Sequence, residues 1–533
     1  MAVRRPSLII SVSAVVGLVT GLLSVPARAP LAGAGASGAA ARLPLGAPGL
    51  PEVRHERRLA PGVTLTTVVR GRLSPGDRWT LTVPVQPGRP GDDRDLGPPA
   101  AAQAMAERVR KAGLEPRIEP VTPPRRTDLG TPTVEYGVRV GLYRDAAAAR
   151  ADRDRLAHAG LRPAFRMVDR EGAPTTGPWR VAVLTVDPEA FHGSVVAELG
   201  DSVRDPEKVT ETARRTAAVA AVNGGFFVQH DADGAPGDPV GIAVSRGRLL
   251  SEAVAGAPAL VLRADGRPSI AELATTGEVR MGSALRELDG VNREPGKIVG
   301  CGGRGGDRPT ERPLRETCTD DSELISYTPE YGPRTPGGDG TEAVIGADGR
   351  VIDVRERGGT IPAGGSVLAG TGSAAAWLRE PGHSGTAVTV RHGITGPRGR
   401  PYAIGPRDSV VSGGPRLVTG GRVLVEARAS GLASDDPGYS YLGLVRRDPR
   451  TMAGIDAYGR LLLVTVDGRD GQSVGVSFTE GAELMRSLGA VEALNLDGGG
   501  STTMAVGGRL LNRPSEEKGE RAVGEALLVL PAR

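Results

Sequence analysis

The sequence predicts an α+β protein, a strand-rich mixed-sheet body preceded by a small domain in which strands and helices alternate. Three observations carry that expectation. Gly (78) and Pro (43) are abundant and aromatics make up only 3%, a vocabulary of turns and short strands rather than of helical bundles. From Trp179 onward, short alternating apolar segments are punctuated by Gly, Pro and Asp. Upstream of these, a strand–helix–strand pattern occurs twice, each copy marked by Ala-Gly-Leu-x-Pro. At 533 residues the chain has room for about two to four domains, and a 39% apolar fraction suffices for packed cores.

The N-terminus comes first. Arg4 and Arg5 precede an apolar run from Leu8 to Val25, and Ala27-Arg-Ala29 supplies a small-x-small cleavage pattern. That order is a secretory signal peptide over residues 1–29, implying a secreted, extracellular or wall-associated protein without a stable membrane span once cleaved. An uncleaved membrane anchor is the competing reading, because the run is nearly long enough to cross a bilayer. Removing residues 1–29 takes away three arginines and lowers the formal charge from +4 to +1. A chain so nearly neutral is no evident nucleic-acid binder. The two cysteines, Cys301 and Cys318, are a close pair in an exported chain and are expected to form a disulfide. Closing that loop contributes about 3 kcal/mol in the entropic account. No second pair or nearby His completes a zinc site.

Residues 30–75 begin with an Ala/Gly/Pro/Leu-rich tract that reads as a tether, with one strand, Val63 to Val69, belonging to the next domain. The duplicated unit occupies 76–170. Ala112-Gly-Leu-Glu-Pro-Arg117 is echoed by Ala159-Gly-Leu-Arg-Pro-Ala164. Each copy follows an Ala-rich helical stretch (100–111 and 146–158), and each helix follows a strand (79–85 and 134–143). Gly113 and Gly160 stand where helix C-caps belong. The order is βαββαβ, a ferredoxin-like arrangement. Val134-Glu-Tyr-Gly-Val-Arg-Val-Gly-Leu-Tyr143 with the helix and Ala159-Gly-Leu161 resembles the sporulation-related repeat (SPOR) domain. That resemblance implies binding to peptidoglycan glycan strands. A domain that only packs against its neighbour is the plainer alternative.

The large domain spans 177–533. Its first strand is Arg180 to Asp187, and Asp205-Pro206 has the form of a helix start. Ala217 to Val222 is an apolar strand ending in Asn223-Gly-Gly-Phe-Phe227, with Asn223 and Gly224 as candidate site residues and the aromatic pair as core. Asp231, Asp233 and Asp238 do not have the spacing of a calcium loop and read as a solvated turn. Residues 300–340 form a long charged loop, a candidate roof that carries Tyr327. Ser412-Gly-Gly-Pro-Arg-Leu417 opens a hairpin turned at Gly420-Gly421. Strands 452–456 and 461–466 follow, the second ending in Asp467-Gly-Arg469. Ser477-Phe-Thr-Glu480 has capping-box spacing, and its helix stops at Gly489. The next strand ends in Asn495-Leu-Asp-Gly-Gly-Gly-Ser-Thr-Thr503. If the strands either side of this helix are parallel neighbours, Asp467 and Asp497 emerge at one sheet edge, where ligands bind. Glu480 has two readings, helix cap and catalytic carboxylate.

Familiar alternatives fall away. Asp497-Gly-Gly-Gly-Ser-Thr lacks the Gly-Lys-Ser/Thr ending of a P-loop. Gly438-Tyr-Ser-Tyr-Leu-Gly443 has the wrong spacing for a nucleophile elbow. The six histidines show no zinc-protease spacing. What remains is a set of strand-end carboxylates, amides, glycines and arginines. Arginine forks match phosphate oxygens, and Gly-loop N–H groups add donors. Glycoside cleavage generally needs a carboxylate pair, but a phosphate leaving an anomeric carbon needs less help from an acid. One strong carboxylate with arginines suits a sugar phosphodiester.

Asn223-Gly-Gly-Phe-Phe227, Ser412-Gly-Gly-Pro-Arg416, Pro449-Arg-Thr451, Val466-Asp-Gly-Arg469, the 494–503 stretch and Gly519-Glu-Arg-Ala-Val523 occur in that order. Together they resemble the phosphodiester glycosidase family over most of 180–531. The resemblance implies a secreted hydrolase of a sugar-1-phosphodiester, N-acetylglucosamine-1-phosphodiester-like. By matching positions, it implies Asp497, Arg450, Asn223 and Asp467 as catalytic candidates; Glu480 is a further catalytic candidate from its own two readings, not from the resemblance. Arg416, Arg469, Arg521, Gly224, Gly413, Gly414, Gly498, Gly499, Gly500, Ser501 and Thr502 are implied in substrate binding. Asp497 is expected at the anomeric carbon, Arg450 and Arg521 at the phosphate. No cofactor is expected, and a divalent metal is left open. The scarcity of cysteines and the small domain depart from the animal enzymes and point instead to a bacterial wall or surface glycopolymer. Two other readings stand beside it: a non-catalytic wall-binding protein, and an exopolysaccharide glycosidase without a phosphate requirement.

Overall fold

A computed structural model describes residues 42–532 apart from 74–78, 87–93, 123–124, 130–132, 169–171, 173, 255–256, 300–307, 310–317, 381 and 430–442. The expected signal peptide lies outside these residues. So do Cys301 and the side chain of Cys318, and with them the expected disulfide.

The chain opens on a hairpin, β1 (Glu52–Ala60) and β2 (Val63–Arg70). The small domain comes next as β3 (Trp79–Val83), α1 (Pro99–Lys111), β4 (Pro116–Val121), β5 (Glu135–Tyr143), α2 (Ala146–His158) and β6 (Ala164–Met167). After it stand β7 (Trp179–Val186), β8 (Ser194–Leu199), α3 (Val209–Arg215) and β9 (Ala220–Asn223). A strand-rich region over 241–412 intervenes. The chain then forms β10 (Arg416–Thr419), β11 (Arg422–Val423), β12 (Arg450–Asp456), β13 (Leu461–Val466) and α4 (Phe478–Ser487). It ends in β14 (Ala490–Gly498), β15 (Met504–Val506), β16 (Arg509–Leu510) and β17 (Glu525–Leu530).

Eight strands in the order β1-β2-β7-β13-β12-β14-β10-β11 make one sheet, and β16-β15-β9-β17-β8 make a second. Both are antiparallel throughout. The expected mixture of directions survives as a short parallel pairing between Gly290–Val291 and Leu324–Tyr327. Strand β13, Leu-Leu-Leu-Val-Thr-Val, is apolar on both faces because both are covered. Leu463 and Leu494 face Val222, Leu527 and Val529 of the second sheet. On the other face Val464, Val466 and Met452 pack against Ala482 and Met485 of α4. Helix α3 closes the far side through Val209 and Ala213 against Ala221 and Leu528. Each Val, Leu or Met among them contributes about 1.5–3 kcal/mol when fully buried. The layers run helix, sheet, sheet, helix.

Local signals landed well. Ser477 and Glu480 form the reciprocal capping box, and Gly489 ends the helix region with φ +96°. Gly420 and Gly421 turn the β10–β11 hairpin at φ +56° and +75°, which suits a two-residue connection. In the small domain β3 pairs with both β5 and β6, and β4 pairs with β5, with α1 and α2 packed on one face.

Four expectations are corrected. Residues 42–60 are no tether, since Leu43 and Leu45 are buried in the main core and β1 is a strand; β2 is the strand expected at 63–69, but it pairs in the main sheet and not in the small domain. Arg70, buried, donates to Leu45 O (2.6 Å) and pairs with Glu52 (3.1 Å). The small domain is therefore an insertion, since β2 and β7 are paired neighbours from Val63↔Val186 to Arg70↔Trp179. The helix expected at Asp205 begins at Val209; Asp205 instead accepts from the Ser202 hydroxyl (2.5 Å) in a preceding turn. Strands β13 and β14 are parallel but not neighbours, because β12 lies antiparallel between them. Tyr327 roofs nothing; it is buried in a strand-lined core with Tyr331, Val344 and Val367.

Candidate functional site

The ends of three main-sheet strands meet at one edge. Arg450, first residue of β12, is in register with Val466 on one side and Gly498 on the other. Asp467 follows β13 directly, and Asp497 lies near the end of β14. Two strand spacings separate their backbones, about 10 Å. Between Arg450 and Met452 the partner strand carries one extra residue, Gly498 to Asn495, a bulge of the kind that re-aims side chains beside sites.

Asp497 is 7% exposed, and its Oδ1 accepts from the Gly498 N–H at 2.8 Å. The glycines beyond it are needed for what lies against them. A Cβ on Gly499 would sit 2.9 Å from Arg469 Nη2, and one on Gly500 would overlap Glu516 Oε1 and sit 2.5 Å from Arg521 Nη2. Two guanidinium groups are thus packed directly on the loop after Asp497. Asp448 holds Arg469 through Nε (2.9 Å). Glu516 holds Arg521, which also reaches Gln229 Oε1 (3.2 Å) and the Ser501 hydroxyl (3.3 Å). Arg469 takes φ +67°, unusual for a side-chain-bearing residue and costing roughly 1–2 kcal/mol. Such outliers cluster at functional sites. Thr502 is buried and its hydroxyl has no hydrogen-bond partner among the described residues.

Arg450 is buried, with its guanidinium 3.6 Å from the Phe478 ring centroid. Nε donates to Val476 O (2.8 Å), and Nη2 to Gly443 O and Arg446 O (both 3.3 Å). Burial lowers its pKa to about 10, with the Asp448 carboxylate opposing that shift and Arg469 adding to it. Asp467 accepts from Asn512 Nδ2 (3.1 Å) and Arg513 N (3.2 Å), and Arg180 lies 3.8 Å away. Burial raises its pKa to about 6 despite those donors. Asn512 also donates to Thr502 O (2.9 Å) and accepts from Met504 N (2.7 Å), tying Asp467 to the loop.

Other sequence candidates have different work. Asn223 is fully buried and its amide is consumed: Nδ2 donates to Asp497 O (2.9 Å), while Oδ1 accepts from Thr451 Oγ1 (2.6 Å) and Thr503 N (3.0 Å). It clamps the loop rather than meeting a sugar. Glu480 is a helix cap held from the side by Arg447 (2.6 Å), the first of its two expected readings. Arg416 pairs with Glu492 (2.8 Å) and Glu426 (3.7 Å). The N–H groups of Gly413, Gly414 and Gly224 donate to Pro258 O, Asn495 O and Glu525 O. Two of these glycines serve packing: a Cβ on Gly413 would lie 2.5 Å from Asn495 O, and one on Gly224 would overlap Glu525 Cγ.

Sequence reasoning missed Asp448, Gln229, Asn512 and Glu516, which sit in no motif. It also missed Glu525, buried against Gly224 and Gly225, whose pKa burial raises to about 8 while the Gly225 N–H opposes the shift. Among the described residues no group of three or more His, Cys, Asp or Glu is placed to hold a metal ion, and no helix is long and apolar enough to cross a membrane.

Two family models match the chain. The phosphodiester glycosidase family model matches residues 340–530, and the SPOR domain model matches 96–166. The crystal structure of a putative exported protein from Burkholderia pseudomallei superposes with a TM-score of 0.81 at 33% identity, covering 92% of this chain and 98% of that one. Over residues 340–530 this chain belongs to the phosphodiester glycosidase family. A phosphodiester glycosidase from Mus musculus, N-acetylglucosamine-1-phosphodiester alpha-N-acetylglucosaminidase, is 43% identical over 67 residues. That match covers 13% of this chain and 13% of the mouse enzyme, a small part of either. A hypothetical protein from Synechocystis shares the fold at 18% identity, with a TM-score of 0.51 over 90% of this chain and 81% of that one. The SPOR domain of this family member is inserted between β2 and β7.

Proposed function

We propose that this protein hydrolyses a sugar-1-phosphodiester on a cell-wall or surface glycopolymer. One observation carries the reading: Arg469 and Arg521 rest on Gly499 and Gly500, immediately after the strand-end carboxylate Asp497. Two guanidinium forks beside a loop with no room for side chains favour phosphate oxygens. A bridging phosphodiester carries one negative charge and gains a second as the C1–O bond breaks. Arg469 and Arg521 stabilise that gain, and Arg450, anchored through Nε and Nη2, adds its charge from the neighbouring strand end. Asp497 balances the positive charge that develops at the anomeric carbon, either by attack or through space. Water supplies hydroxyl to C1 and a proton to solvent; the products are the free sugar and a phosphomonoester. Asp467 and Asn223 position the loop.

The SPOR domain and the exported-protein relative support a place in the cell envelope or outside the cell. We read the small domain as a ferredoxin-like unit that contributes glycan contacts. The test is hydrolysis of an N-acetylglucosamine-1-phosphodiester beside the matching neutral glycoside, by wild type and Asp497→Ala. Turnover of the phosphodiester alone, lost in the variant, is the expected result. Equal cleavage of the neutral glycoside would remove the phosphate from recognition. Binding to isolated wall without turnover of either would leave a glycan-binding protein.

A further inference from the structure

Adjacent antiparallel strands need only a tight turn between them. Between Arg70 and Trp179, which are partners in register, this chain carries a whole domain. The insertion leaves from the C-terminal end of β2. Two antiparallel steps across the sheet make β2 parallel to β13, and two more make it parallel to β14. The small domain therefore emerges at the edge that carries Asp467 and Asp497.

It also grips that edge. Asp95, 2% exposed and just ahead of α1, accepts from Arg446 Nη2 (2.6 Å) and pairs with Arg166 (2.9 Å). Asp128 caps Arg428 N (2.9 Å) and Ala429 N (2.8 Å), and its own N–H donates to Val425 O (3.2 Å). Arg446 is the consequential contact. Its carbonyl and that of Gly443 take the two Nη2 hydrogen bonds of Arg450. A carboxylate of the small domain is thus one residue removed from the anchor of a site guanidinium.

We propose that Asp95 is a positioning residue for the site: through Arg446 it holds the 443–446 backbone whose carbonyls fix Arg450. The proposal rests on the phosphodiester glycosidase role proposed for Arg450, but its structural half can be tested apart from that function. The inserted domain is then part of the catalytic apparatus and not a separable wall anchor.

The experiment uses the full chain as wild type, Asp95→Ala, Asp95→Glu and Arg446→Met, the last keeping an apolar stem should Asp95→Ala fail to fold. Amide hydrogen exchange is followed over 443–452 and over β13, with steady-state turnover of N-acetylglucosamine-1-phosphodiester in parallel. Exchange over 443–452 is expected to rise about tenfold in Asp95→Ala and Arg446→Met, with β13 unchanged. Turnover is expected to fall about tenfold to a hundredfold in kcat with KM little changed, and to recover in part in Asp95→Glu. Wild-type exchange at 443–452 in both disruptive variants would overturn the proposal, whatever the turnover. Altered exchange with wild-type kcat would overturn it too. Altered exchange in a protein whose wild type cleaves no sugar phosphodiester would sink the functional reading and leave the Asp95–Arg446 latch standing.

Discussion

Two strand ends in this molecule look alike on paper. β9 ends in Asn223-Gly-Gly, and β14 ends in Asp497-Gly-Gly-Gly. They even touch, since the Asp497 N–H donates to Gly224 O (3.1 Å) and Asn223 donates back to Asp497 O. Yet different groups pack against them. The glycines after Asn223 admit the buried side chain of Glu525, whereas those after Asp497 admit two half-buried guanidinium groups. Glycine permits close approach at both; what approaches decides the chemistry.

The sharpest break of that contrast is at the two polar residues. Asp497→Ala should lower kcat by about 10³- to 10⁴-fold, while its unfolding midpoint stays near wild type. A comparable loss of folding would remove Asp497 from the chemistry. Asn223→Ala should do the reverse. It strands Thr503 N, Thr451 Oγ1 and Asp497 O in a dry interior, costing about 2–4 kcal/mol on unfolding in denaturant. A stable but inactive Asn223→Ala would return that amide to the substrate contacts.

The glycines offer a milder test. Gly500→Ala puts a methyl where Arg521 lies, so KM for the phosphodiester should rise about tenfold, near 1.4 kcal/mol, with the neutral glycoside unaffected. Gly499→Ala should do the same at Arg469 and add about 1 kcal/mol of backbone strain, because φ there is +60°. Gly224→Ala should instead lower stability by about 1–3 kcal/mol through overlap with Glu525, with no preference between substrates. If Gly224→Ala also discriminated against phosphate, the division between the two strand ends would fail.

What could be read from the sequence obeys the same division. The capping box at Ser477–Glu480, the Gly420-Gly421 hairpin and the limits of β13 are set by residues within a few positions of one another, and pattern alone found them. The insertion of the small domain was not visible, because nothing in Val63 to Val69 says that its partner is β7, beyond a whole intervening domain. The bulge opposite Arg450–Met452 is a property of a pairing between strands. Asp448, Glu516 and Asn512 were invisible for a related reason: each is an ordinary loop residue until the fold brings it to Arg469, Arg521 or Asp467. The motif glycines marked where something comes close, and only packing could say whether it was a guanidinium or a core side chain.

Glu525 gives the most diagnostic effect. Its carboxyl is buried beside Gly224 and Gly225, and burial raises its pKa to about 8, the Gly225 N–H opposing. An acid whose folded pKa exceeds its unfolded one binds more protons in the folded state. Stability should therefore be greatest below the unfolded value near 4.5, fall as pH rises toward about 8, and level off above it. The slope cannot exceed about 1.4 kcal/mol per pH unit for a single group. Glu525→Gln keeps the acceptor for Gly225 N–H and removes the titration, so its unfolding free energy should lose this slope and exceed wild type at pH 8 by about 1 kcal/mol or more. Activity per folded molecule should be unchanged near neutral pH, because this carboxyl sits behind Asn223-Gly-Gly and not beside the guanidinium groups. An Asp497-like loss of kcat in a stably folded Glu525→Gln would show that the strand end assigned to structure also supplies an acid to the reaction.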